Sequence, residues 1–171
     1  MIEITLPDGS VRKYNAGVTA YEIALSISEG LARNVLSAEV NGEVWDSNRP
    51  IAQSSQVKLL TWNDEKGKET MWHSSAHLMA EAIQYFYPET KFAIGPPIES
   101  GFYYDIDLGG KIISDNDFKK IEDKMLELAR QKNDFIRKEV SKKDAVDYFK
   151  EKEDKYKLEL LEDLNDGEIT F

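Results

Sequence analysis

The hydrophobic pattern of the chain changes once, near residue 63, and this change limits the folds open to it. Up to Trp62, apolar residues alternate with polar ones in short runs, which is typical of half-buried β-strands. From Thr70 onward, the longest runs carry apolar residues at intervals of three and four, which is typical of amphipathic helices. A polar stretch, Asn63–Glu69, lies between them. We therefore predict an α+β chain of two domains, residues 1–62 and 63–171.

The first segment predicts a hairpin, a helix and further strands, in that order. Apolar and polar residues alternate over 2–6, and Asp8-Gly9 marks a turn into a return strand. Thr19, with Glu22 three residues later, forms a capping box and predicts a helix over 20–27. Short extended runs follow. This order of elements is that of a β-grasp, or ubiquitin-like, module.

The second segment predicts helices separated by short strands. Helical spacing continues from Thr70 until Tyr87-Pro88, because proline pushes the residue before it out of helical geometry. Ser114 and Asp117 predict the start of a long second helix. The remaining predicted elements are strands over 91–94, 101–108 and 135–140, a helix beginning at Ser141 and a helix over 156–164.

Composition argues against several classes of protein. The chain has 171 residues, with 32 acidic against 22 basic side chains and a formal net charge of -10, so its surface as a whole repels phosphate. That charge argues against an independent nucleic-acid binder. No run approaches the roughly 18 apolar residues of a membrane span, and the first residues lack the basic and apolar runs of a secretory signal. We therefore expect a cytoplasmic protein with no membrane partner.

The two histidines of the chain, His73 and His77, are four residues apart. In a helix that spacing puts both imidazoles on one face. They could share a metal ion with a carboxylate such as Glu81 or Asp105, act as a general base near neutral pH, or form a polar patch without a further role. The chain has no cysteine, and Ser74 rather than Glu follows the first histidine, which excludes a thiolate site and the zinc-protease motif. Spacing alone leaves the three interpretations open.

Two motifs in the second segment follow the β-grasp pattern in a fixed order: His73-Ser-Ser-Ala-His77 and Gly95-Pro-Pro-Ile-Glu-Ser-Gly-Phe-Tyr-Tyr-Asp105. In this order they resemble the N-terminal half of the bacterial threonyl-tRNA synthetase family. The resemblance covers the whole chain. It implies a TGS domain, which is a β-grasp module, over residues 1–62 and an α+β editing domain over residues 63–171.

The resemblance implies an aminoacyl-tRNA synthetase, a threonine–tRNA ligase, as the parent protein. That enzyme attaches threonine to its tRNA using ATP, and its editing domain proofreads by hydrolysing mischarged seryl-tRNA. Serine lacks only the methyl group of threonine, and one methyl group in a pocket discriminates by about 1 to 3 kcal/mol, or roughly 10- to 200-fold. A second, hydrolytic site is therefore expected in this family.

The resemblance also implies roles for single residues. His73 and His77 would position or activate the attacking water and contact the terminal ribose. Tyr104 would face the terminal adenosine, where stacking of an aromatic side chain on a base is worth about 1 to 3 kcal/mol, and Lys157 would contact the seryl group. The residues themselves leave two alternatives: either Tyr103 or Tyr104 could pack inward, and Lys157 could be a solvated lysine.

The chain departs from the family pattern in several respects. The family completes its editing site with a Cys-x-Gly-Pro-His type motif near the end of the same domain, whereas this chain has no cysteine and stops at Phe171. The family's catalytic core, zinc site and anticodon domain have no counterpart in this chain. We therefore expect a truncated editing domain with an incomplete hydrolytic site and no cofactor or metal. ATP, Mg²⁺ and Zn²⁺ are expected in the catalytic core of the parent enzyme.

The expected partner is the 3′ end of threonine tRNA, with the other domains of the parent enzyme making most of the phosphate contacts. The chain is expected to be a monomer and the parent enzyme a homodimer. The alternative function is a non-catalytic β-grasp binding or regulatory module with an adventitious metal site at the two histidines. The best basic candidates, which are also typical of a solvated face, are Lys132, Arg137, Lys138, Lys142 and Lys143.

Overall fold

The computed structural model describes residues 1–133, 135–167 and 169–171. Helices and strands both occur, which confirms the predicted α+β class. The chain divides into two compact units, Met1–Ser74 and Ser75–Phe171, while the boundary predicted at residue 62 stays a prediction.

The elements in chain order are β1 (Ile2–Thr5), β2 (Val11–Tyr14), β3 (Val18–Thr19), α1 (Ala20–Ile27), α2 (Glu29–Asn34), β4 (Ser37–Val40), β5 (Glu43–Asp46), β6 (Pro50–Ile51), β7 (Ser55–Leu60), α3 (Glu65–Phe86), β8 (Lys91–Phe92), β9 (Pro97–Ile98), β10 (Gly101–Phe102), β11 (Ile106–Asp107), α4 (Asp115–Gln131), α5 (Lys142–Glu151) and α6 (Lys155–Glu162).

A five-stranded sheet in the order β2-β1-β7-β4-β5 forms the basis of the first unit. The hairpin of β1 and β2 pairs Ile2 with Tyr14, as the alternating pattern predicted. Strand β1 then runs parallel to β7, while β4 is antiparallel to both β7 and β5. A separate short pair joins β3 to β6. A hairpin, a helix and a central parallel pair in this order form a β-grasp fold.

Helix α1 begins at the predicted capping box. The Glu22 backbone N–H donates to Thr19 Oγ1 at 3.2 Å, and the Thr19 N–H donates to Glu22 Oε2 at 2.8 Å, so two backbone donors at the helix start are satisfied. Residues at helical spacing on one face of α1 then pack on the sheet. The buried cluster consists of Ile2, Ile4, Ala20, Ile23, Ala38, Val40, Ile51 and Val57.

Two buried clusters support the second unit. The larger one joins α3 and α4 and consists of Ala82, Ile83, Ile121 and Leu128. The smaller one joins α5 and α6 to the end of the chain and consists of Ala145, Leu161 and Ile169. Within the described ranges, none of the helices has both the length and the apolar character of a membrane span.

The single strand predicted over residues 101–108 is wrong. Two short strands lie there instead: β10 pairs with β9, and β11 pairs with β8. Between them, the Ala93 N–H donates to the Asp105 carbonyl at 3.0 Å, and the Asp105 N–H donates to the Ile94 carbonyl at 2.9 Å. The segment therefore changes its pairing partner near Tyr103–Asp105, which local alternation does not reveal.

The strand predicted over residues 135–140 is also wrong. In the part of the chain that the structure describes, the pairing there is limited to a bridge between Glu139 and Thr170 with flanking hydrogen bonds from residues 138 and 140. Phe135 and Ile136 are 68% and 79% exposed. An apolar run predicts a strand only if a neighbouring strand covers it, and these two side chains lie in solvent.

Candidate functional site

Helix α3 carries both histidines on one exposed face. His73 and His77 are exposed, whereas Ala76, Ala82 and Ile83 on another side of the helix are buried. Because α3 is continuous across this stretch, the spacing of four residues places the two imidazoles one turn apart, as predicted. The two compact units divide between these two positions, after Ser74.

The end of α3 is set by Pro88 and by hydrogen bonds just before it. The Tyr87 N–H donates to the Ile83 carbonyl at 2.8 Å, which closes the last turn. The Thr90 N–H and hydroxyl then both donate to the Tyr87 carbonyl, at 3.0 and 2.7 Å. The residue before proline is excluded from helical geometry, so the helix stops where the sequence predicted.

A metal site at the two histidines would need a third ligand, and the described residues do not supply one. Within those ranges, no three His, Asp or Glu side chains gather into a group that could hold a metal ion. Glu81 and Asp105, which the sequence offered as ligands, are exposed side chains.

Tyr104 packs inward, and its neighbour Tyr103 is 43% exposed. The Tyr104 ring meets the ring of Phe92 edge to face, with centroids 5.3 Å apart. Burial raises the pKa of the Tyr104 hydroxyl above its ordinary value, and the negative charge of Asp154 adds to this rise. A tyrosine hydroxyl is protonated at neutral pH even with its ordinary pKa, so Tyr104 can donate a hydrogen bond there.

Lys157 lies in the first turn of α6, and its amine points at the strand region rather than into open solvent. Lys157 Nζ donates to the Ala93 carbonyl at 2.9 Å. Burial lowers the pKa of this amine, while the negative charge of Asp154 works in the opposite direction. The interpretation of Lys157 as a solvated surface lysine does not describe this half-buried side chain.

Tyr104 and Lys157 meet at one short stretch of backbone. Lys157 bonds the carbonyl of Ala93, and Tyr104 packs against Phe92, the residue immediately before it. His77 lies on α3, whose residues Ala82 and Ile83 belong to the buried cluster against which Phe92 also packs. The structure therefore brings Tyr104 and Lys157 together and places His77 on a helix that packs in the same unit.

Sequence reasoning missed Asp154. Its Oδ1 accepts the Lys157 N–H at 3.1 Å and so caps the start of α6. Its charge also acts on both the Tyr104 hydroxyl and the Lys157 amine. The available signal was local, because an Asp three residues before a helical lysine is a typical N-cap.

Two of the five basic candidates, Lys142 and Arg137, contact other residues of the chain. Lys142 Nζ donates to the carbonyls of Glu162 and Leu164, at 3.0 and 2.7 Å, and thereby ties α5 to the end of α6. Arg137 forms an ion pair with Glu139. Both side chains therefore have structural partners within the chain.

Comparison with known proteins identifies one domain and a set of similar proteins. The model of the TGS domain matches residues 2–61. The chain is 66% identical over 171 residues to a threonine–tRNA ligase of Cytophaga hutchinsonii, covering 100% of this chain and 26% of that protein. It is 56% identical over 170 residues to a threonine–tRNA ligase of Parabacteroides distasonis, and this match covers 99% of this chain and 26% of that protein.

A threonine–tRNA ligase of Porphyromonas gingivalis is 53% identical over 171 residues, again covering 99% of this chain and 26% of the relative. The chain thus spans about a quarter of the length of the curated relatives it matches. The similarity to these ligases extends along the whole chain, and the TGS domain lies at its start. The chain therefore matches the TGS domain at its start and resembles threonine–tRNA ligases along its whole length.

Proposed function

We propose that this chain is the proofreading region of a threonine–tRNA ligase and that it takes part in hydrolysing seryl-tRNA. The observation that carries the proposal is the pair of exposed imidazoles one turn apart on α3, in a chain 66% identical to a threonine–tRNA ligase. The parent enzyme attaches threonine to its tRNA using ATP. Its partner is the 3′ end of that tRNA.

The reaction is attack of water on the carbonyl carbon of the ester that joins serine to the terminal ribose. One imidazole takes a proton from the water as the new carbon–oxygen bond forms, and the ester bond to the ribose oxygen then breaks with protonation of that oxygen. The products are serine and uncharged tRNA. Residues 73 and 77 are suited to this work because histidine can exchange protons near neutral pH. No covalent intermediate with the protein is needed.

Tyr104 and Lys157 orient the substrate in this proposal. Tyr104 contacts the terminal adenosine with its ring, and the Lys157 ammonium contacts the seryl group. Lys157 already forms a hydrogen bond with the Ala93 carbonyl, so its amine is held in place before the substrate arrives. A group held in advance loses less entropy when it binds, which favours catalysis.

The remaining functions of the parent enzyme are assigned to no residue of this chain. In the parent enzyme, ATP, Mg²⁺ and Zn²⁺ bind to a separate catalytic core. Among the described residues of this chain, no cluster of His, Asp or Glu would ligate a metal. We propose a cytoplasmic homodimer for the parent enzyme and a monomer for the 171-residue chain alone. The Cys-x-Gly-Pro-His type motif of the family would complete the hydrolytic site.

The test is hydrolysis of seryl-tRNA by the full-length enzyme with His73→Ala or His77→Ala. Removing a general base is expected to lower the rate by about 10²- to 10⁴-fold, because proton transfer then falls to bulk water. Single-turnover release of serine from the isolated seryl-tRNA measures the effect directly.

Gln84→Ala is the matched control, since Gln84 is exposed and lies seven residues, or two turns, beyond His77 on the same helix face. It should leave hydrolysis unchanged. Charging of the tRNA with threonine should also be unchanged in all three variants. Wild-type hydrolysis by both histidine variants would refute the assignment.

A further inference from the structure

Gly95 lies against the face of the Tyr104 ring. A Cβ atom built on Gly95 would lie 2.7 Å from Cδ2 of Tyr104 and 2.8 Å from both Cε2 and Cγ. Three consecutive ring carbons at nearly equal distances mean that this atom would sit over the ring face rather than beside its edge. Real side chains do not approach this closely, so any residue other than glycine at position 95 displaces the ring or the backbone.

The backbone near Gly95 is held on both sides. The Asp105 N–H donates to the Ile94 carbonyl and the Ala93 N–H donates to the Asp105 carbonyl, which fixes the chain just before Gly95. Just after it, Pro96 and Pro97 each have a restricted φ angle, so this segment has little freedom to swing away. The Tyr104 ring is therefore the part that must move if a side chain is added.

The ring of Tyr104 is also limited in where it can go. Phe92 meets it edge to face, and its other neighbours keep it half-buried. The Gly95 backbone lies against one face of the ring and so limits how the ring can turn. The amine of Lys157 bonds the Ala93 carbonyl two residues before Gly95, which adds a further contact that holds this backbone in place.

We infer that Gly95 is a positioning residue of the proofreading site: its lack of a side chain lets the Tyr104 ring pack directly on its backbone, which fixes the orientation in which the ring meets the substrate. This inference rests on the proposed function for the role of Tyr104. The packing of the ring on Gly95 is independent of that function and can be measured separately.

A double-mutant cycle in the 171-residue chain tests the packing. Gly95→Ala alone is expected to lower the folding equilibrium constant by about 5- to 100-fold, as overpacking of a filled site does. In a Tyr104→Ala background the same change should cost little, because the atoms that the new methyl group would meet are gone. Urea unfolding followed by circular dichroism gives the four equilibrium constants.

Two further variants identify the ring as the cause. Tyr104→Phe keeps the ring and should keep the full effect of Gly95→Ala. Gly30→Ala is the matched control, since a Cβ at Gly30 would meet only Ser28 Oγ, at 3.9 Å. If Gly95→Ala alone does not fold, restored folding of the double variant with Tyr104→Ala supports the packing, and failure of the double variant overturns it.

The full-length enzyme tests the positioning role. Displacing the ring removes a stacking contact worth about 1 to 3 kcal/mol, so the KM of Gly95→Ala for seryl-tRNA should rise by about 5- to 150-fold. The kcat value should change less, because His73 and His77 are untouched. Threonine charging should stay at the wild-type rate, which shows that the enzyme is folded.

The outcomes separate the two claims. Additive effects of Gly95→Ala and Tyr104→Ala on folding would overturn the packing. A wild-type KM for the folded Gly95→Ala enzyme would overturn the positioning role. A wild-type enzyme that does not hydrolyse seryl-tRNA at all would instead refute the proposed function, while the folding measurements would still decide the packing of Tyr104 on Gly95.

Discussion

In the second unit, the carboxylates of single Asp residues accept hydrogen bonds at the starts of helices. Asp117 in α4 is one of these residues and has several partners. Its Oδ2 accepts from the Ser114 N–H at 2.8 Å and from the Ser114 hydroxyl at 2.7 Å. Its Oδ1 lies 2.5 Å from Lys120 Nζ. The contact with Lys120, followed by those with Ser114, holds the pKa of the Asp117 carboxyl well below its ordinary value.

A prediction about pH follows from Asp117. The pKa is depressed in the folded state, so the carboxylate stabilises the fold above the unfolded-state pKa of about 3.9, and this contribution is lost as the pH falls further toward the folded-state pKa. Asp117→Asn should therefore be less stable than the wild type at pH 7, with a deficit that shrinks below about pH 3.9. Urea midpoints at pH 7, 5 and 3 measure it.

The control is Asp115→Asn, which removes a carboxylate from the same first turn of α4. Asp115 makes none of the contacts that link Ser114 and Lys120 to Asp117. Its deficit at pH 7 should be the smaller one. An Asp117→Asn deficit as large at pH 3 as at pH 7 would contradict the explanation.

At the scale of elements, α3 starts in tight contact with the end of β7. Lys66 Nζ lies 2.5 Å from Glu39 of β4, and the Thr70 hydroxyl is 2.9 Å from the hydroxyl of the fully buried Ser37. A Cβ on Gly67 would lie 2.1 Å from the Thr61 carbonyl oxygen and 2.8 Å from its carbon. These are backbone atoms, which cannot rotate away as a side chain can.

The prediction for this junction is that Gly67→Ala destabilises the chain by about 1 to 3 kcal/mol, because the helix start must shift from Thr61. Alanine is normally better than glycine in a helix, so Gly30→Ala in α2 should instead stabilise by about 0.4 to 1 kcal/mol. Denaturant unfolding of both variants gives the comparison. Equal signs for the two substitutions would show that helix propensity, not the Thr61 contact, dominates.

At the scale of the whole molecule, the first compact unit extends to Ser74, beyond the TGS match that ends at residue 61. The extra residues include Asp64, which forms an ion pair with Lys58 at 2.8 Å, and Thr70, which bonds Ser37. Trp62 and Trp72 also meet edge to face, with centroids 5.9 Å apart. The beginning of α3 thus belongs to the fold of the first unit.

We therefore expect a piece containing residues 1–74 to unfold at a higher urea concentration than a piece containing residues 1–62. The shorter piece loses the partners of Ser37, Glu39 and Lys58, and of these contacts the part-buried hydrogen bond between Ser37 and Thr70 contributes about 0.5 to 1.5 kcal/mol. Circular dichroism measures both transitions. Coincident midpoints would mean that α3 adds nothing to the first unit.

Much of the fold followed from local patterns in the sequence. The Thr19–Glu22 capping box, the hairpin from Ile2 to Tyr14 and the proline after α3 each act within a few residues of one another, so spacing was enough to predict them. The motifs around the two histidines pointed to the threonine–tRNA ligases, to which the chain is similar along its whole length. The roles of His73, His77, Tyr104 and Lys157 stay predictions.

The sequence by itself determined where α1 and α4 begin, where α3 ends and which proteins the chain resembles, because a capping residue or a proline acts on its immediate neighbours and motifs keep their order along the chain. Only the tertiary structure decided that Tyr104 rather than Tyr103 packs inward, that residues 101–108 form two strands, and that the Lys157 amine bonds the Ala93 carbonyl. That last contact joins residues 64 positions apart. Hydrophobic periodicity and capping involve only residues within about one helical turn of each other. Contacts between residues far apart in the sequence depend instead on how the elements pack.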